Sequence, residues 1–224
     1  MSANIGSLAV GDGKGKSERT RDALLAAGIR LFSEQGYDAT STRQVEALAG
    51  VQRNLMTYHF GGKEDFWKAC MVALNGRMGA LLEPVFDQSK DIEPRERVRF
   101  LIRRYVRASA AVPEVARILF DEGRSSGWRL EWLVDNYIRS FFDTIAQVFK
   151  EGRQSNAIPD IPLINFYYFL AASGAMFSMS AEFKLLTGKD AFEDAMVDAQ
   201  ANAIADLLTA HTHTTVKAAD AAND

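Results

Sequence analysis

The sequence contains only one cysteine and three histidines among its 224 residues. The single cysteine, Cys70, excludes an intramolecular disulfide and fits a reducing cytoplasm, where we expect the protein to reside. Cys70 lies in helical register with Phe66 and Leu74, which favours a small buried side chain over a redox sensor. No two histidines have metal-ligand spacing within a helical segment, so we predict no metal site and no cofactor.

The sequence also lacks the long apolar run of a membrane span and the short motifs of common enzymes. Its longest apolar candidate, residues 166–179, is too short and is interrupted by serine and glycine. It has no glycine-rich phosphate loop, no G-x-S-x-G turn and no cysteine–histidine nucleophile arrangement. We therefore predict no membrane partner and no enzyme, although a helical active site built of carboxylates alone remains an alternative.

The charge of the chain is unevenly distributed along its length. The net charge is −3, yet from Lys14 to Lys63 eight lysines and arginines stand against five acidic residues, an excess of three positive charges. Phosphate affinity depends on the local basic surface and not on the total charge. The N-terminal part is therefore compatible with binding to DNA.

Residues 39–60 have the pattern of two short helices joined by a tight turn. Residues 40–42 carry side-chain oxygens that can cap a helix start. Apolar residues then recur on one helical face at Val45, Leu48 and Ala49. This pattern predicts a first helix over residues 41–49.

A turn and a second helix follow this segment. Gly50 can take a left-handed conformation, Val51 supplies an apolar anchor, and a new helix can start near residue 52 or 53. An earlier helix, residues 18–35, has an apolar stripe and ends at Gly36. Three helices can therefore close one small core as a helix-turn-helix, whose second helix enters the major groove of DNA.

This stretch resembles the DNA-binding domain of the TetR/AcrR family of bacterial transcriptional regulators. The resemblance covers about the first third of the chain and rests on Ala27, Leu31, Phe32, Gly36, Tyr37, Thr40, Ser41, Val45, Ala49, Gly50, Val51 and the run from Tyr58 to Glu64. The sequence departs from the family pattern at Gln52, where serine is frequent, at Asn54, where a small residue is common, and at Thr57, where tyrosine is usual. The operator sequence of a relative therefore does not transfer to this chain.

The predicted DNA contacts fall into two groups. Arg53 and Asn54 open the second helix, where Arg53 can form two hydrogen bonds with a guanine edge and Asn54 two with an adenine edge. Gln52 and six further residues are expected to contact DNA, mainly its phosphates: Thr42, Arg43, Thr57, Tyr58, His59 and Lys63. An alternative role for Asn54 is to cap the helix, and one of Tyr58 and His59 is expected to pack against Phe60.

Helical periodicity continues to about residue 210 without a strand pattern, so the sequence predicts an all-α protein. The predicted organisation is a flexible arm (1–16), a helix-turn-helix domain (17–62), a helical effector-binding and dimerisation domain (63–210) and a disordered tail (211–224). Breaks near Pro84, residues 91–94, Pro113, residues 125–127, residues 158–162 and Gly188 divide the larger domain into about six helices.

The family resemblance implies that the C-terminal domain holds a small-molecule effector and forms the dimer. Predicted pocket residues are the aromatics Tyr105, Phe120, Trp128, Trp132, Tyr137 and Phe166, although aromatics at helical spacing are more often core. Four arginines at 103, 104, 107 and 117 could meet an anionic effector or form a solvated face. The predicted dimer seam, on helices over residues 165–186 and 191–208, contains Phe169, Ser173, Phe177, Met196 and Ile204, unless both helices pack inside one subunit.

The sequence thus predicts a homodimeric DNA-binding regulator, a repressor that leaves a palindromic operator when a small molecule binds. The alternative is a helical ligand-binding or scaffold protein that retains the fold without specific DNA binding. Salt-dependent binding to DNA distinguishes the two classes.

Overall fold

The computed structural model describes residues 15–88 and 91–209, with side chains except those of residues 84–88. The predicted tail lies outside the described residues, and so does the predicted arm up to residue 14. Gly15 and Lys16 are described, and Lys16 already begins the first helix.

The described residues are helical and contain no strand, which confirms the all-α fold. The helices are α1 (Lys16–Ala39), α2 (Thr42–Leu48), α3 (Leu55–Phe60), α4 (Lys63–Gln88), α5 (Pro94–Ala111), α6 (Pro113–Glu122), α7 (Trp128–Leu133), α8 (Arg139–Gln154), α9 (Leu163–Ala172), α10 (Ala175–Ser178), α11 (Ser180–Thr187) and α12 (Asp194–Leu208). A π-helical segment, Val134–Ile138, joins α7 to α8 without a break.

The chain separates into two compact units between Ala73 and Leu74. The boundary lies inside α4 and not before Lys63, where the sequence suggested it, because the first turns of α4 complete the core of the N-terminal unit. The predicted break near Pro84 is wrong, since α4 continues to Gln88. A single helix therefore runs through both units.

The N-terminal unit is a three-helix core closed by α4. Leu24, Ala27 and Phe32 of α1 are buried, as their spacing predicted. The ring of Phe66 on α4 lies 5.9 Å from that of Phe32 and 4.9 Å from that of Phe60 on α3, measured between centroids. Aromatic contacts thus tie α1, α3 and α4 together.

Gly36 ends the regular part of α1, as the sequence predicted. Its φ of 78° and ψ of 172° are not helical, so the chain kinks there before one more turn. The kink brings Tyr37 over the core, where its ring stacks 5.9 Å from Phe32. Beyond it, the buried Thr40 hydroxyl donates to the Gly36 carbonyl over 2.8 Å, which fixes the entry to α2.

The C-terminal unit contains two apolar clusters. One joins α5, α8, α9 and α12 through residues such as Ile102, Val148, Phe166 and Leu208. The other consists of Val106, Phe177, Ala191 and Ala201. Ile204 on α12 packs against both clusters, so α12 is an integral part of the C-terminal core.

Several arginines of α5 form ion pairs within the C-terminal unit. Arg99 pairs with Asp206 at 2.6 Å, and Arg107 pairs with Asp198 at 2.8 Å, both across to α12. Arg103 faces Glu96 of its own helix at 3.8 Å. Of the arginines considered for an anionic effector, Arg103 and Arg107 are therefore engaged within the chain.

The segment over residues 165–186 is not one helix. It breaks at Ser173 and again at Met179, giving α9, α10 and α11. The Ser173 hydroxyl donates to the Leu170 carbonyl over 2.6 Å, which satisfies an end group of α9. The break matters for the predicted seam, because side chains beyond it no longer continue the face of α9.

Candidate functional site

Helix α2 is capped by Ser41, one of the three residues that the sequence predicted as caps. The Ser41 hydroxyl accepts from the Gln44 backbone N–H at 3.2 Å, while the Gln44 side chain accepts from the Ser41 backbone N–H at 2.8 Å. These reciprocal bonds satisfy two backbone donors at the helix start. Val45 is buried as predicted, but Leu48 is 44% exposed, so the expectation that it faces the core is wrong. Helix α2 is short and presents only a narrow face inward.

The turn after α2 is longer than the sequence suggested. Gly50 has a φ of 65°, which confirms its left-handed role. A second left-handed residue, Asn54, has a φ of 66°, which a right-handed helix does not accept. Helix α3 therefore begins at Leu55, and Arg53 and Asn54 belong to the turn that precedes it. The Asn54 side chain makes no capping hydrogen bond, so its alternative role as a cap is wrong.

Most of the predicted DNA contacts lie on one exposed stretch of α2, the turn and α3. Tyr58 is 80% exposed. The other exposed members are Arg43, Gln52, Arg53, Asn54 and Thr57. Arg43 and Arg53 form no ion pair with any residue in the described ranges, so both cations face solvent. This stretch can meet an anionic polymer without breaking internal contacts.

Thr42, His59 and Lys63 are only partly exposed. The His59 ring lies between those of Tyr58, at 5.1 Å, and Phe60, at 6.3 Å. His59 is therefore the member of the Tyr58 and His59 pair that packs inward. The Lys63 Nζ lies 4.3 Å from the Tyr37 ring centroid, a cation–π contact that steadies the start of α4.

Sequence reasoning missed Glu46, the acidic residue of α2. Its side chain is buried, at 4% exposure, and its Oε1 accepts from the Met56 backbone N–H over 3.0 Å. In the sequence it counted only as one of five charges offsetting the basic excess. Its partner lies ten residues away in the chain, beyond the reach of local helix rules.

The N-terminal unit also matches known proteins in sequence. Residues 24–70 match the family described as bacterial regulatory proteins, tetR family. These residues form a TetR-family DNA-binding region. The match begins in α1 and ends in α4, so it covers the helix-turn-helix and the aromatic core beneath it.

Two relatives share this TetR-type region. The chain is 35% identical over 75 residues to the HTH-type transcriptional dual regulator CecR of Shigella flexneri, which covers 34% of this chain and 33% of CecR. It is 34% identical over 94 residues to the HTH-type transcriptional regulator BetI of Rhizobium meliloti, which covers 42% of this chain and 45% of BetI. The chain thus spans between a third and a half of these relatives.

A solved structure resembles the whole fold. HlyIIR, a hemolysin II transcriptional regulator, aligns with a TM-score of 0.64 at 20% identity, covering 87% of this chain and 99% of that one. The likeness places the C-terminal helices in a known all-helical arrangement.

The predicted effector residues do not converge on one site. Tyr105 and Phe166 line a small apolar cavity of about 30 Å³ with Leu82, Leu101, Ile102, Phe141, Ile145, Val148 and Leu170. Burial raises the pKa of Tyr105 to about 12. Phe120 and Trp128 are 43% and 37% exposed, so they lie at the surface. Trp132 and Tyr137 form a separate edge-to-face pair at 5.6 Å.

A larger groove of about 410 Å³ lies at the start of α5 and the end of α8. The Arg97 guanidinium and the Glu151 carboxylate, 2.9 Å apart, form part of its wall. None of the predicted effector residues lines this groove.

The predicted dimer residues divide into surface and core. Phe169 is 48% exposed, whereas Phe177 and Ser173 are 0% and 2% exposed within a single chain. The prediction is wrong for Phe177 and Ser173, because the break after α9 directs their side chains into the core of the C-terminal unit. Met196 and Ile204 are half-buried.

No group of three or more histidine, cysteine, aspartate or glutamate side chains is placed to hold a metal ion within residues 15–88 and 91–209. In the same ranges, no helix has both the length and the apolarity needed to cross a bilayer.

Proposed function

We propose that the protein is a transcriptional repressor that binds a palindromic operator as a homodimer and is released by a small molecule. The observation that carries the proposal is the exposed stretch of α2, the turn and α3, mounted on a closed aromatic core. The match of residues 24–70 to the TetR family supports it, as do the relatives named as transcriptional regulators.

Within this proposal, Arg53 and Asn54 contact base edges. Both residues sit at the exposed turn immediately before α3, the part of a recognition element that meets bases first. Phosphate contacts come from the residues around them: Thr42, Arg43, Gln52, Thr57, Tyr58 and Lys63. His59 supports these contacts because it packs between Tyr58 and Phe60.

The test is DNA binding by wild type, Arg53→Ala and the control Arg30→Ala, at several salt concentrations. Arg30 is an exposed arginine of α1 paired with Glu34 at 3.0 Å, so its removal matches the charge change of Arg53→Ala. We expect Arg53→Ala to lose about 1 to 3 kcal/mol of operator affinity and to relax the preference at one base pair per half-site. Equal weakening on every sequence would assign Arg53 to a phosphate.

Absence of salt-dependent binding in the wild type would favour the alternative class, a helical ligand-binding or scaffold protein. That outcome would leave the fold unchanged but remove the role of the exposed stretch on α2 and α3.

A homodimer is supported by exposed apolar side chains on α9 and α12. Ile164, Tyr168 and Phe169 lie on the outer side of α9, and Leu207 is 65% exposed on α12. Exposed apolar side chains on two helices in contact are typical of an interaction site. A palindromic operator presents its two half-sites about 34 to 36 Å apart, one turn of DNA, so it requires two recognition helices, one from each copy.

Sedimentation of Phe169→Glu tests the assembly, with Val72→Glu as control. Val72 is an exposed apolar residue of α4, 56% accessible, and belongs to the N-terminal unit. We expect Phe169→Glu to be a monomer without operator binding and Val72→Glu to remain a dimer. A dimeric Phe169→Glu protein with normal binding would place the interface elsewhere.

Effector binding is proposed for the apolar cavity lined by Tyr105 and Phe166. At about 30 Å³ it has room for one water molecule, so an effector must enter by separating the helices around it. Helix α4 contributes Leu82 to the cavity and also runs into the N-terminal unit. Its movement can therefore couple effector binding in the cavity to DNA binding by the N-terminal unit. Such coupling is typically about 1 to 3 kcal/mol.

A further inference from the structure

Glu46 is a buried carboxylate beneath the exposed stretch of α2 and α3. It is 4% exposed, and Met56, whose N–H it binds over 3.0 Å, is 1% exposed. The hydrogen bond is therefore shielded from water. At a buried site a charged acceptor forms a strong hydrogen bond, and loss of the acceptor leaves a buried N–H donor unsatisfied.

Helix α3 needs such an acceptor because it is only six residues long. The first N–H groups of any helix lack partners in the helix itself, and so short a helix is not stable alone. Asn54 precedes α3 but makes no capping bond. Glu46 supplies the acceptor instead, and its negative charge lies at the positive end of α3.

We infer that Glu46 is a positioning residue for operator recognition, an inference that rests on the proposed function. By capping α3 from α2, it fixes the angle between the two helices and the place of the turn that carries Arg53. It also relieves Asn54 of capping, so the exposed Asn54 amide is available to a base.

Three substitutions at position 46 distinguish the length of the Glu46 side chain from its charge. Glu46→Ala removes the acceptor. Glu46→Asp keeps the charge but withdraws the oxygen by one carbon–carbon bond, about 1.5 Å. Glu46→Gln removes the charge but keeps an oxygen at the same reach. Ile29→Val, which trims the buried face of α1, controls for a general loss of stability.

The first measurement is hydrogen exchange of the Met56 amide in the free proteins. We expect strong protection in wild type, Glu46→Gln and Ile29→Val, and exchange at least about tenfold faster in Glu46→Ala and Glu46→Asp. This measurement needs no DNA, so it tests the capping even if the proposed function fails. Unchanged Met56 exchange in Glu46→Ala would overturn the inference.

The second measurement is the ratio of affinities for two DNA duplexes. One is selected by the wild type from a randomised library, and the other is its scrambled sequence. We expect the ratio to fall about tenfold or more in Glu46→Ala and Glu46→Asp and to remain near wild type in Glu46→Gln and Ile29→Val. An unchanged affinity ratio in Glu46→Ala would show that the hydrogen bond to Met56 does not set recognition. A normal ratio in Glu46→Asp together with a reduced ratio in Glu46→Gln would show the same. Failure of the wild type to select any duplex would instead reject the proposed function.

Discussion

Gly28 on α1 packs directly against Phe66 and Cys70 of α4, and replacing it by alanine should destabilise the N-terminal unit. A Cβ at this position would lie 2.4 Å from Cζ and 2.6 Å from Cε1 of Phe66, and 2.7 Å from Sγ of Cys70. Carbon atoms in favourable contact are about 3.5 to 4.0 Å apart. One of the helices must therefore shift by about 1 Å, or the Phe66 ring must turn.

The Phe66 ring has little room to turn. It is fully buried and lies against the rings of Phe32 and Phe60. Overpacking of this kind costs about 1 to 3 kcal/mol, and we expect the upper half of that range. Alanine is a better helix former than glycine by about 1 kcal/mol, which offsets part of the cost. The net loss in unfolding free energy should be about 1 to 2 kcal/mol.

Gly76→Ala is the matched control, because a Cβ at this helical glycine of α4 meets nothing within 4 Å. It should gain about 0.5 to 1 kcal/mol. Urea unfolding followed by circular dichroism measures both variants. Adding Phe66→Leu should recover part of the stability lost in Gly28→Ala, because leucine vacates the ring volume. A Gly28→Ala protein as stable as Gly76→Ala, or effects that simply add with Phe66→Leu, would refute the steric argument.

Three other outcomes follow from buried polar groups. Because burial raises the pKa of Tyr105 from 10 to about 12, its stabilising contribution is complete below pH 10 and is lost as pH rises through 12; alkaline unfolding should be shallower in Tyr105→Phe. Burial also raises the pKa of the Cys70 thiol well above its usual range, so a thiol reagent should modify Cys70 only after urea unfolding, and rapid labelling of the native protein would contradict this. Arg129 Nε donates to both carboxylate oxygens of buried Glu122 at 2.7 and 2.8 Å, so Arg129→Met should lower the free energy of unfolding in urea by about 3 kcal/mol. Adding Glu122→Leu should recover most of this loss, because it removes the unpaired buried carboxylate. Equal stability of the single and the double variant would count against this pair.

Local rules predicted those parts of the fold that depend on neighbouring residues. Ser41 caps α2 through a residue three positions away, and Gly50 turns because it lacks a Cβ. The buried spacing on α1 follows from helical periodicity. These features, with the family resemblance, are enough to predict the all-α fold and the helix-turn-helix.

The features that escaped prediction depend on distant partners or on an unseen break. Asn54 takes a left-handed conformation at a site where the apolar pattern simply continued into a helix. Glu46 acts on Met56, ten positions away, and looks like an ordinary surface charge. Phe177 followed the helical face of Phe169 until the break at Ser173 turned it into the core. The roles of Arg53 and Asn54 toward DNA stay predictions.

The ion pairs between α5 and α12 have a repeating pattern that does not by itself fix how far one helix slides along the other. Arginines recur every four residues of α5 at 95, 99, 103 and 107, and aspartates stand on α12 at 194, 198 and 206. A slide of one helical turn, about 5.4 Å, would exchange Arg99–Asp206 for Arg95–Asp206 and Arg107–Asp198 for Arg103–Asp198. The choice between these positions therefore falls to the buried apolar side chains of α12, Ala201, Ala205 and Leu208.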